Sequence, residues 1–157
     1  MCARRLVFLI NYLVLAASCG YGSHSLALGA FLSIGIALFG ALLALVCISL
    51  GIAVHRSLPK KHAQASDFPE LLNTGPYAYV RHPFYAVLIV LNYAVSMAFV
   101  SIYAIIASTL LIPLWWYLAK TEEDDLMHVW GQKYVQYRKD VPMLFPTHRH
   151  RKRKETE

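Results

Sequence analysis

Charged residues are scarce in this sequence, and two long stretches have none. Asp, Glu, Lys and Arg together make up 15% of the 157 residues, whereas 57% are hydrophobic. The segments 26–54 and 84–119 contain no formal charge at all. A soluble core would spread its apolar residues at amphipathic spacing, so this pattern excludes an ordinary soluble domain and predicts helices in contact with lipid.

Cysteine is also rare, and the three cysteines stand far apart in the chain. Cys2, Cys19 and Cys47 form neither a Cys-x-x-Cys motif nor a cluster with histidine. The sequence therefore indicates neither a zinc site nor a disulfide framework. The seven histidines share no spacing typical of metal ligands, and we predict no bound metal.

The apolar segments predict an all-α, polytopic membrane helical bundle with about four transmembrane helices. Spans are expected near 6–19, 26–54, 83–100 and 103–119, since roughly 20 apolar residues cross a bilayer. The last two would form a helical hairpin, with one long tilted helix as the alternative.

The first span is the ambiguous one. It follows Arg4 and Arg5 and ends in small residues, so it also has the features of a cleaved secretory signal. We expect it to be retained, and a cleaved signal is the alternative. Either choice leaves the later loops on the same side of the membrane.

Lys and Arg are confined to one set of connecting segments. They precede the first span, lie between the second and third, or follow Ala119, whereas loops 20–25 and 100–103 have none. Because positively charged loops stay in the cytoplasm, both termini and the intervening loop are predicted to be cytoplasmic. Residues 1–146 then form one domain, and 147–157 form a basic, disordered tail suited to anionic lipid headgroups and not to nucleic acid.

The segment 74–85 is polar, rich in turn residues and aromatic, and it directly precedes an apolar span. Gly75-Pro76 predicts a turn. Pro83 suits the first position of a helix, which makes His82 the N-cap. The free amides of that helix start, together with Arg81, favour a carboxylate or phosphate, while contact with lipid headgroups is the simpler explanation.

A second polar segment, 121–146, follows the last span. It begins with four acidic residues, continues with apolar and aromatic residues at helical spacing, and ends at Pro146. This spacing predicts an amphipathic cytoplasmic helix that lies on the membrane or packs over segment 74–85. The acidic residues would form salt bridges with Arg81 or bind a cationic ligand.

These two segments resemble the isoprenylcysteine carboxyl methyltransferase and phospholipid methyltransferase superfamily of integral membrane enzymes. That family has a Gly-Pro-Tyr, an Arg-His-Pro-x-Tyr, a helical hairpin, a Glu-Glu pair, and a downstream Gly and Tyr before a closing Pro. The same order occurs here as 75–77, 81–85, 122–123, Gly131, Tyr134, Tyr137 and Pro146. The resemblance covers about half of the chain, from Leu72 to Pro146.

The resemblance implies S-adenosylmethionine as the methyl donor and a lipid-like acceptor: an isoprenylcysteine-type carboxylate, a phospholipid amine or a thiol. It implies cofactor binding by Tyr77, Arg81, His82, Pro83, Tyr85, Glu122, Glu123 and Tyr134. Arg81, Glu123 and His82 are the predicted catalytic residues, with Glu123 or His82 as a base where the acceptor must lose a proton.

Two positions depart from the family pattern, and two other functions stay open. Val87 stands where a Gly is common and Ala78 where a basic residue is common, so we expect an effect on how the donor is bound. Membrane sterol reductases, which use NADPH, share a similar Arg-His-Pro-x-Tyr loop. A membrane adaptor without enzymatic activity is the third hypothesis.

Overall fold

The computed structural model describes residues 2–22, 28–58 and 71–146, and this part of the chain is entirely helical. The helices are α1 (Cys2–Gly22), α2 (Ala30–Arg56), α3 (Pro83–Ala98), α4 (Ile102–Trp130) and α5 (Gln132–Asp140), with a short 3₁₀ helix at Gly75–Ala78. No strand occurs in these ranges, so the predicted all-α class is confirmed for them. The basic tail predicted at 147–157 lies outside the described residues.

Two of these helices are long and apolar enough to cross a membrane. They are α2, with a mean hydropathy of 2.7 in its best window, and α4, with 1.7. α3 is also apolar but has only 16 residues. α2 exposes most of its surface, since only 11% of its apolar window is buried. Such an exposed apolar surface is suited to lipid and not to water.

The predicted hairpin between α3 and α4 is confirmed, which excludes one continuous helix across 84–119. Val100 adopts a φ of 51° in the connecting turn, an unusual conformation for a β-branched residue. Ser101 then caps α4, because its side chain accepts a hydrogen bond from the Ala104 amide at 3.2 Å. Val100 and Ser101 are both fully buried, so packing holds this tight turn in place.

The helices pack in the order α2, α3, α4, α1, with α5 against the end of α4. The buried core lies between α1, α3 and α4 and includes Tyr85, Leu88, Leu111 and Trp115. α2 and α3 approach each other closely at Gly40, which faces the α3 backbone near Ala98.

α4 extends further than the sequence predicted. The last span was expected to end near Ala119 and to be followed by a separate amphipathic helix, but α4 runs for 29 residues, about 43 Å, to Trp130. Lys and Glu are good helix formers and nothing between Ala119 and Trp130 breaks the helix. It ends where Gly131 adopts a φ of 52°. The acidic residues are therefore rigidly attached to the last apolar helix.

Candidate functional site

The loop before α3 is fixed by the chain that follows α5. The Arg81 amide donates to the Pro142 carbonyl at 2.9 Å, and the His82 amide donates to the Met143 carbonyl at 3.0 Å. The Tyr137 hydroxyl donates to the Tyr77 carbonyl at 2.6 Å. The two polar segments singled out in the sequence are thus joined by direct hydrogen bonds, and α5 packs over the loop.

α3 begins as the sequence predicted, with His82 at the N-cap and Pro83 in the first turn. The His82 side chain forms no capping hydrogen bond. Its ring instead stacks on Tyr85, with 5.7 Å between centroids and 7° between planes. This orientation aims both ring nitrogens at the acidic pair on α4.

Glu123 is the most enclosed charged group of the site, with a side-chain exposure of 0%. Its Oε1 lies 2.9 Å from Arg81 Nη1 and 3.5 Å from His82 Nε2, and its Oε2 lies 3.6 Å from Arg138 Nε. Burial alone would raise the pKa of this carboxyl, but the His82 ring and the two guanidinium groups outweigh it. The pKa is therefore held below its ordinary value, and Glu123 is charged at neutral pH.

Glu122 is adjacent in sequence but has different partners. Its Oε1 accepts from the Tyr85 hydroxyl at 2.5 Å and lies 2.5 Å from Arg4 Nη2. Its Oε2 lies 3.7 Å from His82 Nδ1. The side chain is 20% exposed. The His82 ring thus lies between two carboxylates, one at each nitrogen.

Several buried polar atoms around Glu123 have no hydrogen-bond partner within the described ranges. On the donor side these are Arg81 Nε and Nη1, His82 Nε2, Trp130 Nε1 and the Tyr134 hydroxyl, and on the acceptor side both Glu123 oxygens. The 2.9 Å ion pair therefore lacks the geometry of a hydrogen bond. Unsatisfied buried polar groups are rare, and each typically costs about 1–3 kcal/mol. Hydrogen-bonding capacity therefore remains at the Arg81–Glu123 ion pair for a polar ligand.

Two of the three tyrosines predicted to contact a ligand, Tyr77 and Tyr134, lie near the acidic pair. Tyr134 is 1% exposed, and burial followed by the charge of Glu123 raises its pKa. Burial and then the charge of Glu122 raise the pKa of Tyr77 to about 12. Both phenols are thus neutral hydrogen-bonding groups at physiological pH.

All eight site residues predicted from the sequence are brought together, and two further ones were missed. The assembled residues are Tyr77, Arg81, His82, Pro83, Tyr85, Glu122, Glu123 and Tyr134. Arg4 and Arg138 were not predicted. Arg138 lies one helical turn after Tyr134, which is a usable signal, whereas nothing in the local sequence links Arg4 to Glu122.

Three other sequence features prove to lie outside the site. Asp124 and Asp125 are exposed. Val87, expected to affect donor binding, faces α2, because a Cβ added at Gly51 would lie 3.7 Å from Val87 Cγ1.

In the described parts of the chain, no group of three or more His, Cys, Asp and Glu residues is placed to hold a metal ion.

Comparison with known families agrees with the geometry of the two segments. The family described as Phospholipid methyltransferase matches residues 20–133, which is most of the chain. The match includes the loop before α3, the hairpin and the acidic pair, and it leaves out most of α1. No individual curated protein shows a significant match. The chain belongs to the phospholipid methyltransferase family.

Proposed function

We propose that the protein transfers a methyl group from S-adenosylmethionine to a lipid-like or hydrophobic acceptor at the cytoplasmic face of a membrane. The observation that carries the proposal is the buried cluster of Arg81, His82, Glu123 and Tyr134, in which the ion pairs of Glu123 leave buried polar atoms without a hydrogen bond. It combines cationic and neutral donors with an anionic acceptor, and it lies where the apolar helices end. Family membership supplies the type of reaction.

The residues present fit the amino-acid part of this donor. Its carboxylate would be received by Arg81 and His82, and its ammonium by Glu123, because charge-assisted hydrogen bonds are the strongest of their kind. The Arg81–Glu123 contact must widen to admit it, since Glu123 is fully enclosed. The Tyr134 hydroxyl, which has no hydrogen-bond partner, lies close enough to Glu123 for the carboxylate charge to raise its pKa. When bound, the donor would supply a methyl group activated by a sulfonium.

The protein's own contribution is to orient the reactants and to exclude water. A carboxylate acceptor presents a lone pair at neutral pH and needs no base. An amine or thiol acceptor must lose a proton, which Glu123 or His82 would take. The lowered pKa of Glu123 makes its carboxylate a weaker base, which suits it better to binding the ammonium. The apolar surfaces of α2 and α4 suit an acceptor that arrives through the lipid.

We also propose four spans with both termini in the cytoplasm, as the distribution of Lys and Arg predicts. Contacts between helices support this arrangement. Arg4 of α1 contacts Glu122 near the end of α4, and the His55 ring of α2 lies 6.3 Å from Phe84 at the start of α3. The positively charged ends of the helices therefore meet at the end of the bundle that holds the site. S-adenosylmethionine is a cytosolic metabolite, so the donor and the site share a compartment.

Isothermal titration of the purified protein with S-adenosylmethionine and with NADPH tests the donor. We expect binding of S-adenosylmethionine, its loss in Glu123→Gln, and unchanged binding in Asp124→Asn, which alters an exposed neighbour on the same helix. Binding of NADPH alone would point to a reductase. Binding of neither would leave a membrane adaptor as the better description.

Incubation of membranes with a methyl-labelled donor tests the acceptor. Lipids and proteins would be extracted separately from wild type and from Glu123→Gln. Label in the lipid fraction identifies a lipid acceptor, and label in the protein fraction identifies a prenylated polypeptide. Equal labelling by both forms of the enzyme would remove Glu123 from the mechanism.

A further inference from the structure

α1 lies mostly outside the region that matches the family, yet it reaches the site. The family match begins at residue 20, whereas α1 covers Cys2–Gly22. The Arg4 guanidinium, 43% exposed, pairs with the Glu122 carboxylate at 2.5 Å. Arg4 lies in the first turn of α1, where the helix dipole disfavours a cation. The carboxylate of Glu122 offsets both the guanidinium charge and the positive end of the helix.

The Arg4 contact separates the acidic pair into two different environments. Both oxygens of Glu122 face protein groups, namely Arg4 and Tyr85 at Oε1 and His82 at Oε2. Both oxygens of Glu123 also face cationic or imidazole groups, Arg81 and His82 at Oε1 and Arg138 at Oε2, but none of these contacts has hydrogen-bond geometry. Glu122 already accepts a hydrogen bond from the Tyr85 hydroxyl, whereas Glu123 retains its hydrogen-bonding capacity for a ligand.

We propose that Arg4 is a positioning residue of the donor site. It holds Glu122 against Tyr85 and His82, which keeps the His82 ring in place between the two carboxylates and leaves Glu123 to receive the ligand. This inference rests on the proposed function for its ligand. The Arg4–Glu122 contact itself is a property of the protein without ligand.

The position of α1 that brings Arg4 to Glu122 is fixed by contacts deeper in the bundle. Asn11 and Asn92 exchange hydrogen bonds between their side-chain amides, at 2.7 and 3.4 Å, and both are buried. Asn11 lies about two helical turns from Arg4, on the same side of α1. Further along, Ser101 Oγ donates to the Ser18 carbonyl at 3.1 Å. A shift of α1 along its axis would break these hydrogen bonds. They therefore fix the position of Arg4 along that axis relative to α3 and α4.

Donor affinity in Arg4 variants tests the proposal, with Arg5→Ala as the matched control. Arg5 is the adjacent cation and is exposed. We expect Arg4→Ala to weaken S-adenosylmethionine binding about fivefold, the upper range for a partly exposed pair. Arg4→Lys should retain most of the affinity, since it keeps the charge. Arg5→Ala should bind as wild type does. Equal affinities of Arg4→Ala and Arg5→Ala would overturn the proposal while leaving the proposed function intact.

A double-mutant cycle on the ligand-free protein separates the two proposals. The melting temperature would be compared among wild type, Arg4→Ala, Glu122→Gln and the double variant. We expect the double variant to lose little more than either single variant, because each removes the same contact. Additive losses would show that Arg4 and Glu122 are uncoupled and would overturn the positioning role. This result does not depend on whether the protein binds S-adenosylmethionine, so failure of the proposed function would be recognised separately.

Discussion

The contact of α2 with α3 depends on a glycine, and its replacement offers a sharp test of the fold. A Cβ at Gly40 would lie 2.7 Å from the Ala94 carbonyl oxygen and 2.8 Å from the Met97 carbonyl carbon, and it would come closer still to the Ala98 amide. All three are backbone atoms. No side-chain rotation can relieve these contacts, so Gly40→Ala must move one helix away from the other.

The size of the effect follows from these distances. The Cβ would have to move from 2.8 Å to an ordinary contact distance of 3.4 Å from the Met97 carbonyl carbon, which is a shift of about 0.6 Å. The closer Ala98 amide requires a larger shift. Overpacking of this kind costs about 1–3 kcal/mol. Replacing glycine with alanine within a helix also stabilises the folded protein by about 0.5–1 kcal/mol, which offsets part of that cost. The midpoint of these two ranges is a net loss of about 1 kcal/mol, which lowers the melting temperature by about 2–4 °C in a chain of this size.

Thermal denaturation of the purified protein in detergent measures this loss, with Gly35→Ala as the control. Gly35 lies on the same helix, and a Cβ there would meet nothing within 4 Å. We expect Gly35→Ala to be at least as stable as wild type. If both variants melted at the same temperature, the close packing of α2 on α3 would be refuted.

Two further predictions concern the site. Tyr137→Phe removes the hydrogen bond to the Tyr77 carbonyl and should destabilise the protein by about 1 kcal/mol, whereas Tyr117→Phe, at an exposed apolar position, should melt as wild type does. Because the pKa of Glu123 is lowered in the folded protein, its charge stabilises the fold above the ordinary value of 4.5 and that contribution is lost as the pH falls through the lowered pKa. The melting temperature of wild type should therefore fall more steeply below pH 4.5 than that of Glu123→Gln, and equal slopes would contradict this account.

Local sequence signals predicted the helices and the start of α3 well. The charge-free segments correspond to α2, α3 and the apolar part of α4, because lipid contact leaves a continuous apolar pattern. Pro83 marked the beginning of α3 for a stereochemical reason, since proline fits the first turn of a helix and disrupts the interior. The turn near Val100 was also predicted, although no glycine or proline marks it.

Contacts between distant parts of the chain could not be predicted in the same way. The Arg4–Glu122 pair depends on how the helices are arranged in space, and no local pattern records that arrangement. Helical spacing from Tyr134 indicates that Arg138 is near the site, but it does not identify Glu123 as its partner. The end of α4 was misplaced for a related reason. A change from apolar to acidic residues near Ala119 marks the end of lipid contact, but it does not end a helix.

The continuity of α4 explains why the adjacent residues Glu122 and Glu123 contact different parts of the protein. Consecutive residues on a helix point about 100° apart, so one rigid segment directs Glu122 toward α1 and Glu123 toward the loop before α3. A flexible connection after the last span would let either carboxylate take either position. Because α4 is continuous and α1 supplies Arg4, the two roles are fixed by the backbone. The residues at the start of the chain and those after α5 therefore complete a site whose central motifs lie between them.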